Sequence, residues 1–466
     1  MKIIIIGIGK VGDALAQSLS AEGHDITIID NNAKVVERVE NTLDVMPIKG
    51  NGFSTSTLLE AGCNEADFVI TVTGRDEINM LCCLTAKKLG AKRTAARIRD
   101  PQYARELLLI KEDLGLDMVI NPEEASADEI ARLLTIPGAI KIQNFAKGRV
   151  RMMDFIVKTD MPIAGMQIKA IATHYNIPIL IGAVTRNDHL IIPNGDFRIE
   201  TGDSIFIIGK TADVYSFYKV MSPNPTKVRN VMIVGGGRIG YYLARLLEQM
   251  HLKVKLIEKD EEVCDHLVEV LPQTLIINGD GTDAALLHSE QLENVDGFVS
   301  LTGSDEENII ASILAKQASV QCVMTKMSKN HCDRLTGPLG LDIIIKPQEI
   351  ITNQILKLVR GQSIETLHRI LGDEGEMIEL IASAEDSVIG IPLSKLQFIP
   401  DVLIATIVRK NAVVIPTGND CIQAGDRVLI ITKNHITHFK DIVISTGGLA
   451  SELKNSIKKL GNAIGM

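Results

Sequence analysis

Short apolar runs alternate with amphipathic segments along the first part of the chain. Runs such as 3–6 consist of isoleucine alone, which is typical of strands covered on both faces. Between the runs, apolar residues recur at spacings of three and four, which predicts helices. This rhythm predicts βαβ units and a parallel sheet. The predicted strands are residues 2–6, 26–30, 45–48, 68–72, 94–98 and 118–120.

The pattern shortens from about residue 150 into strand-like pieces with turns such as Asn194-Gly195 and Gly202-Asp203. Such pieces predict a small α+β domain. The whole arrangement then occurs a second time, which indicates an internal duplication. The matching segments lie 223 to 229 residues apart and keep their order: IIIIGIGKVG (3–12) with VMIVGGGRIG (231–240), ITIID (26–30) with VKLIE (254–258), KGNGFS (49–54) with NGDGTD (278–283), TVTGRDEIN (71–79) with SLTGSDEEN (300–308), and GDSIFIIGK (202–210) with GDRVLIITK (425–433).

The predicted fold class is therefore α/β, with two tandem units. Each unit is a Rossmann-like, doubly wound parallel sheet followed by a small α+β C-lobe. The segment 222–225, Ser-Pro-Asn-Pro, is the predicted linker between the copies. The predicted domains are 1–135 (first N-lobe), 140–225 (first C-lobe), 229–358 (second N-lobe) and 362–447 (second C-lobe).

Composition excludes several functional classes. The chain has 466 residues and a net charge of −9, with basic and acidic residues intermixed, so no basic surface for nucleic acid is expected. Seven cysteines without a CxxC pair favour a reducing, cytosolic compartment. The apolar run at the N-terminus is too short for a signal peptide, and no stretch reaches the ~18 apolar residues of a membrane span. Any association with a membrane is expected to be peripheral.

A GxGxxG motif follows the first predicted strand of each copy and opens a helix. An acidic residue ends the next strand in both, 18 residues after Gly12 and after Gly240. In this context Gly7 permits the tight turn, Gly9 lets a pyrophosphate approach the backbone, and Gly12 lets the helix pack on the sheet. Asp30 is expected to bind a ribose and to repel a 2′-phosphate, which favours NAD over NADP. The alternative is a Rossmann-like turn that has lost its ligand.

Further polar residues fall at the carboxyl edge of the predicted sheets, where ligands bind in open α/β folds. Ordinary turn chemistry is the alternative for the glycine pairs, a structural salt bridge for the basic residues that end the fifth strands, and simple solvation for Lys10 and Arg238. Asp76 and Asp305 are predicted to cap the helices that they begin. The edge residues are Asn51-Gly52, Thr73-Gly74 and Arg97 in the first copy, with Asp280-Gly281, Thr302-Gly303 and Lys326 in the second.

No catalytic constellation is present in the sequence. The ten histidines form no HxxxH or HExxH spacing, no GxSxG elbow occurs, and no Cys/His pair recurs in both copies. Neither a catalytic nor a metal site is predicted. Two other functional classes remain open: an NAD-dependent oxidoreductase, and an assembly scaffold with relic nucleotide loops.

The doubled order of strand-GxGxxG, ID or IE, GNG or GDG, TGxDExN and a small domain with GD turns resembles the TrkA family of bacterial and archaeal potassium uptake. Each half is similar to an RCK domain, a regulator of potassium conductance with an NAD-binding N-lobe and a small C-lobe. The resemblance covers roughly residues 1–445, and TGRDEIN and TGSDEEN are its most specific pieces.

The resemblance implies a nucleotide-binding regulatory subunit that gates a Trk-type potassium transporter and is not an enzyme. It implies NAD or NADH as cofactor, with ATP and ADP as second ligands, and tighter binding at the first copy. It also implies a potassium-translocating membrane subunit as partner, a homodimer that forms a ring of four RCK units, and a cytoplasmic position against the inner face of the membrane. The implied cofactor-binding residues are Gly7, Ile8, Gly9, Lys10, Val11, Gly12, Asp30, Asn51, Thr73, Gly74 and Arg97 in the first copy, and Gly235, Gly236, Gly237, Arg238, Ile239, Gly240, Glu258, Asp280, Thr302, Gly303 and Lys326 in the second.

Overall fold

The chain forms two compact units in a computed structural model. Unit 1 combines Met1–Ile140 with Pro225–Val359, and unit 2 combines Lys141–Asn224 with Arg360–Met466. The predicted linker 222–225 and the C-terminal residues from 445 onward lie outside the described residues. The structure describes residues 1–101, 103, 106, 111, 114–136, 138–187, 189–221, 227–328, 339–341, 343–360, 364–371 and 374–444.

Unit 1 contains two six-stranded parallel sheets with the same strand order, and we call each sheet with its helices a Rossmann lobe. The first has the order β3-β2-β1-β4-β5-β6, and the second has β14-β13-β12-β15-β16-β17. The strands of the first sheet are β1 Lys2–Ile6, β2 Asp25–Asp30, β3 Met46–Lys49, β4 Phe68–Thr71, β5 Thr94–Arg97 and β6 Met118–Ile120. Those of the second are β12 Asn230–Val234, β13 Lys253–Glu258, β14 Thr274–Asn278, β15 Gly297–Ser300, β16 Cys322–Lys326 and β17 Ile343–Ile345.

Most helices of unit 1 connect successive parallel strands, and α5 and α12 follow the last strand of each sheet. Their apolar stripes are buried; on α1, for example, Val11, Leu15, Ala16 and Leu19 face the core. The first lobe contains α1 Lys10–Ala21, α2 Ala33–Thr42, α3 Thr55–Glu60, α4 Asp76–Leu89 and α5 Pro122–Leu134. The second contains α8 Arg238–Gln249, α9 Glu261–Val270, α10 Ala284–Ser289, α11 Asp305–Gln317 and α12 Pro347–Arg360.

The two Rossmann lobes pack on each other inside unit 1, with the last helix of the first lobe against the first helix of the second. Helix α5 of the first lobe lies along α8 of the second. Its final residue, Leu134, reaches the start of β15, where a Cβ on Gly297 would lie 2.8 Å from the leucine Cδ2. In return, Arg93 at the start of β5 donates to the carbonyl of Leu358 on α12 at 2.9 Å. Both glycine-rich loops therefore belong to one packed body.

Unit 2 contains two five-stranded antiparallel sheets of equivalent order, β10-β9-β11-β8-β7 and β18-β19-β22-β20-β21. The sheets share one hydrophobic core, to which Phe145, Met152 and Ile208 of the first copy and Met377 and Ile431 of the second contribute. The elements are β7 Lys141–Phe145, β8 Val150–Ile156, α6 Ile168–Tyr175, β9 Ile179–Arg186, β10 His189–Ile191, β11 Ser204–Lys210, α7 Thr211–Met221, β18 Ile364–Ile370, β19 Gly375–Ile381, β20 Val402–Arg409, β21 Ala412–Val414 and β22 Arg427–Thr432.

The predicted fold class is confirmed: each copy has a parallel sheet with helices, followed by a small antiparallel sheet. No strand end of the first sheet differs from the predicted one by more than one residue; β2, for example, begins at Asp25 and β3 ends at Lys49. Among the helices of the described residues, none is both long and apolar enough to cross a bilayer.

Candidate nucleotide sites

The first glycine-rich loop links β1 to α1 and has no room for larger residues at its ends. Gly7 has a φ of +93°, and a Cβ there would lie 2.9 Å from the backbone of Thr73. A Cβ on Gly12 would lie 2.1 Å from the carbonyl oxygen of Gly7. Gly9 has open space around the position of a Cβ. The loop is therefore closely packed at Gly7 and Gly12 and open at Gly9, where a ligand would approach.

Asp30, at the end of β2, faces this loop. Its Oδ2 accepts the N–H of Ile8 at 2.7 Å, and its Oδ1 accepts the N–H of Asn32 at 2.9 Å. The carboxylate therefore fixes the loop and the start of the next connection. Each carboxylate oxygen retains a further lone pair for a ligand hydroxyl.

A cavity of about 370 Å³ lies above the loop at the carboxyl edge of the first sheet. This is within the usual size range of small-molecule sites. We call it the first site. Eight residues expected from the sequence line it: Gly7, Ile8, Gly9, Asp30, Asn51, Thr73, Gly74 and Arg97.

Lys10, Val11 and Gly12 do not line this cavity but form the first turn of α1. Val11 and Gly12 are buried, whereas Lys10 is exposed, as is Arg238 in the second copy. Val11 and Gly12 hold the helix against the sheet, and the two cations lie at the solvent-facing start of their helices.

Asn79 is a site residue that the sequence reasoning missed. Its buried side chain accepts the N–H of Thr73 at 2.8 Å and donates to the carbonyl of Arg97 at 2.8 Å, so it ties the ends of β4 and β5 together. Asn308 makes the same bonds to Thr302, at 2.7 Å, and to Lys326, at 3.0 Å. The signal was present in the sequence, because this asparagine ends the TGxDExN motif in both copies.

The cavity has further lining residues that the sequence reasoning did not assign to the site. Arg75 lies inside the TGRDEIN motif, and Asn31 directly follows Asp30. The others are apolar or glycine: Ile6, Ile29, Gly50, Val72 and Ile78, and Gly52, already expected at this edge, lines the cavity as well. Apolar residues of a strand end carry no ligand signal in the sequence, because burial in the core produces the same pattern.

Arg97 both lines the cavity and forms an ion pair. Its Nη2 lies 2.6 Å from Oε1 of Glu123, and both side chains are mostly buried. In the second copy Lys326 and Gln348 replace this pair. The ammonium of Lys326 donates instead to the carbonyl of Thr302 at 2.6 Å, and burial lowers its pKa. Among the residues that the structure describes, the second copy therefore lacks an ion pair equivalent to that of Arg97 and Glu123 at this edge of its sheet.

The predicted capping roles of Asp76 and Asp305 are wrong. The N-cap residues of α4 and α11 are Arg75 and Ser304. Asp76 instead accepts the N–H groups of Arg99 at 2.7 Å and Asp100 at 2.9 Å, beyond β5. Asp76 lies in the first turn of α4, where its carboxylate can reach the backbone beyond β5. It therefore anchors that segment and does not cap its own helix.

The second loop repeats the geometry of the first with one compensated change. Gly235 has a φ of +107°, and a Cβ on Gly240 would lie 2.1 Å from its carbonyl oxygen. The N–H of Gly236 donates to Oε2 of Glu258 at 2.6 Å. A Cβ on Gly236 would lie 2.6 Å from Cδ1 of Leu267 and 3.1 Å from the Cβ of Glu258, so the packing around the second loop has no room for the side chain that Ile8 carries in the first. We call this loop and its edge residues the second site.

The remaining edge residues of the second site adopt equivalent positions. Thr302 and Gly303 follow β15, and Gly237, Arg238 and Ile239 begin α8. Asp280 accepts the hydroxyl of Thr282 at 2.7 Å and its N–H at 2.9 Å, and it pairs with Lys259 at 3.0 Å. These bonds lower the pKa of Asp280 to about 2.

Comparison with known proteins identifies the family. The TrkA-N domain matches residues 3–122 and 231–347, and the TrkA-C domain matches residues 152–222 and 377–442. A Trk system potassium uptake protein TrkA homolog of Methanosarcina mazei is 34% identical over 440 residues, which is 93% of this chain and 97% of the relative. The chain belongs to the TrkA family.

Solved structures with this fold include the RCK domain of GsuK, at 17% identity with a TM-score of 0.61, covering 92% of both chains. The GsuK channel bound to NAD is 16% identical with a TM-score of 0.62, covering 92% of this chain and 76% of that one. TrkA family membership confirms the resemblance drawn from the motifs. It also confirms the predicted regulatory rather than enzymatic role.

Proposed function

We propose that this TrkA-family protein is the nucleotide-sensing regulatory subunit of a Trk-type potassium uptake system. The observation that carries the proposal is the pair of glycine-rich loops, each held by a carboxylate at the end of the next strand. The nucleotide is NAD or NADH, with ATP and ADP as further ligands of the same loops. The NAD complex of GsuK, a channel of similar fold, supports a dinucleotide.

The two acidic residues set the nucleotide preference. Asp30 and Glu258 are positioned to accept a hydrogen bond from the adenosine ribose, and their charge disfavours the 2′-phosphate of NADP. The free N–H groups at the start of α1 and α8 bind the pyrophosphate. We expect the first site to bind more tightly, since the second departs from it in having Glu258 for Asp30 and Lys326 for the cavity-lining Arg97.

The partner is a potassium-translocating membrane subunit, against whose cytoplasmic face this protein binds. A homodimer contributes four RCK-like units, and a ring of four matches the fourfold pseudosymmetry expected of a potassium pore. Nucleotide shifts the lobes between two arrangements, to the extent that it binds one arrangement more tightly than the other. Bistable packing then transmits this shift to the pore.

The test is co-purification with a Trk-type membrane subunit from the same organism, followed by potassium flux into liposomes with and without NADH. We expect a stable complex whose flux changes with NADH. A complex whose flux ignores NADH, ATP and ADP would indicate an assembly scaffold with relic loops. Absence of both association and any effect on flux would contradict the assignment to potassium transport.

A further inference from the structure

Tyr242 connects the second glycine-rich loop to the first Rossmann lobe. It lies on α8, two residues after Gly240, and its side chain is buried. Its hydroxyl donates to the carbonyl of Arg99 at 3.0 Å and accepts from Nδ2 of Asn121 at 2.9 Å. Both partners belong to the first copy, 143 and 121 residues away.

Each partner lies one step from the wall of the first site. The guanidinium of Arg99 donates to the carbonyl of Gly74, which lines the cavity, and to Asp76 at 3.3 Å. Asn121 caps α5 by accepting the N–H of Glu124 at 3.1 Å. The neighbouring Glu123 holds Arg97, another lining residue of the same cavity.

Only the second copy has a tyrosine at this position. The position equivalent to Tyr242 in the first copy is Ala14, which has no hydroxyl. The position equivalent to Arg99 in the second copy is Ser328, whose N–H donates to Asp305 at 3.0 Å. The internal symmetry of the duplicated chain therefore does not require Tyr242, whose bonds are an addition to the repeated fold.

A buried hydroxyl with two partners resists displacement. If α8 moved relative to the first lobe, the buried hydroxyl of Tyr242 would lose its bonds to the partly buried Arg99 carbonyl and Asn121 amide, which is unfavourable. Burial also raises the pKa of Tyr242 to about 12, so the hydroxyl stays a donor at physiological pH. Movement of α8 and movement of the Gly74–Arg99 wall are thus linked.

We propose that Tyr242 is a positioning residue that couples nucleotide occupancy at the two sites. A ligand on the second loop fixes the first turn of α8, and through the tyrosine hydroxyl this fixes the wall of the first site. Since such coupling is a property of the binding equilibrium, it acts equally in both directions. The inference rests on nucleotide binding at both loops.

The test compares calorimetric titrations of NADH into the full-length protein and its variants. Asp30→Ala leaves only the second site intact, and Glu258→Ala leaves only the first. The sum of the two isotherms describes a protein whose sites bind NADH independently. We expect the unmodified protein to deviate from this sum by a change of about fivefold or more in one affinity. Tyr242→Phe should restore the sum while leaving each single-site affinity nearly unchanged.

Tyr241→Phe is the matched control, because Tyr241 is adjacent on α8 and shares with Tyr242 a stacked arginine, Arg245. It should retain the deviation seen in the unmodified protein. A melting curve for each variant separates coupling from loss of fold, because a merely structural tyrosine would weaken both affinities and leave their interaction unchanged.

Two results would overturn the inference. One is an unmodified protein whose isotherm equals the sum of its single-site variants, and the other is Tyr242→Phe with its deviation intact. Neither result touches the proposed function, since NADH would still bind. Failure of NADH to bind the unmodified protein at all would instead refute the nucleotide-sensing role, and the coupling with it.

Discussion

Asp30 and Glu258 make the same contact with side chains of different length. Each accepts the N–H of the residue after the first loop glycine, at 2.7 Å and 2.6 Å. Gly236 takes the place of Ile8 in the second loop, where Leu267 and Glu258 together leave no room for a side chain. Divergence of the two copies has therefore preserved the hydrogen bond and changed the packing around it.

Asp30→Ala is expected to weaken NADH binding by about tenfold or more. A hydrogen bond to a charged group contributes roughly 1.5–3 kcal/mol, and the variant also releases the N–H of Ile8. Calorimetry on the full chain measures the effect. Asp25→Ala, at the opposite end of the same strand, is the control and should bind NADH like the unmodified protein; equal affinity in both variants would contradict this role for Asp30.

Asp154, in the first antiparallel sheet, is a buried carboxyl outside the nucleotide sites. It lies opposite Lys141 in the strand register and accepts the hydroxyl of Ser204. Burial raises its pKa from 3.8 to about 6. His368 is buried as well. Burial, and then the positive charge of Lys141, lowers its pKa to about 3, so it remains neutral near pH 6.

The sign of the resulting pH dependence follows from the raised pKa. Between pH 4 and 6 the folded protein binds a proton at Asp154 that the unfolded chain does not, so this carboxyl lowers stability as pH rises through that window. Asp154→Asn should therefore raise the free energy of unfolding of unit 2 at pH 7.5 by about 2–3 kcal/mol. The gain should shrink by pH 4.5.

Urea unfolding at the two pH values provides the measurement. Asp160→Asn, an exposed aspartate shortly after the same strand, should show no such gain. Equal stabilisation of Asp154→Asn at both pH values would show that the effect is not electrostatic.

Helices α1 and α8 are positioned by glycine, not by side-chain caps. Their N-cap residues, Gly9 and Gly237, make no side-chain bond, and the close contact is between a glycine of the first helical turn and the loop carbonyl. The helix N-terminus thus stays open toward the site. TGxDExN performs the complementary task at the neighbouring strands, since its asparagine bridges two strand ends.

Gly12→Ala should lower the free energy of unfolding of the first Rossmann lobe by about 1–3 kcal/mol, the usual effect of overpacking. The added methyl would lie 2.1 Å from a backbone oxygen that has no side-chain freedom to move away. Denaturant unfolding measures this. Gly74→Ala, where a Cβ meets open space, should unfold like the unmodified protein, and an equal loss in both variants would refute the steric explanation.

Lobes of the same fold from the two copies pack together. Both Rossmann lobes form unit 1, and both antiparallel sheets form unit 2 with a shared core. Each chain therefore already contains a pair of RCK-like units, and two chains suffice for four. A heterologous arrangement of more chains is not required for closure.

The purified protein is expected to be a homodimer. Size-exclusion chromatography with light scattering should give twice the chain mass of 50.8 kDa, independent of concentration in the micromolar range. A monomer under these conditions, with and without NADH, would contradict the proposed ring of four units. Light scattering is the appropriate readout because it measures mass without assuming a particle shape.

The amino-acid sequence alone is sufficient for the Rossmann strands, the two loops and the acids that face them. These features depend on neighbours along the chain: apolar runs make buried strands, and a glycine turn between strand and helix makes the loop. The recurrence of each motif in order also revealed the duplication. Eight of the eleven residues expected at the first site line one cavity for this reason.

The tertiary structure determines the partners of polar groups that are distant in sequence. Asp76 was expected to cap its own helix, but it binds the backbone beyond β5. A salt bridge was one of two alternatives for Arg97, and only the structure identifies Glu123 as its partner. In the sequence, Tyr242 is indistinguishable from the other apolar positions of an amphipathic helix. Its hydrogen bond to Asn121 becomes evident only where α5 packs against α8. Periodicity states which face of a helix is buried, but a hydrogen bond also depends on what another segment places there, and that is settled only when the lobes pack together.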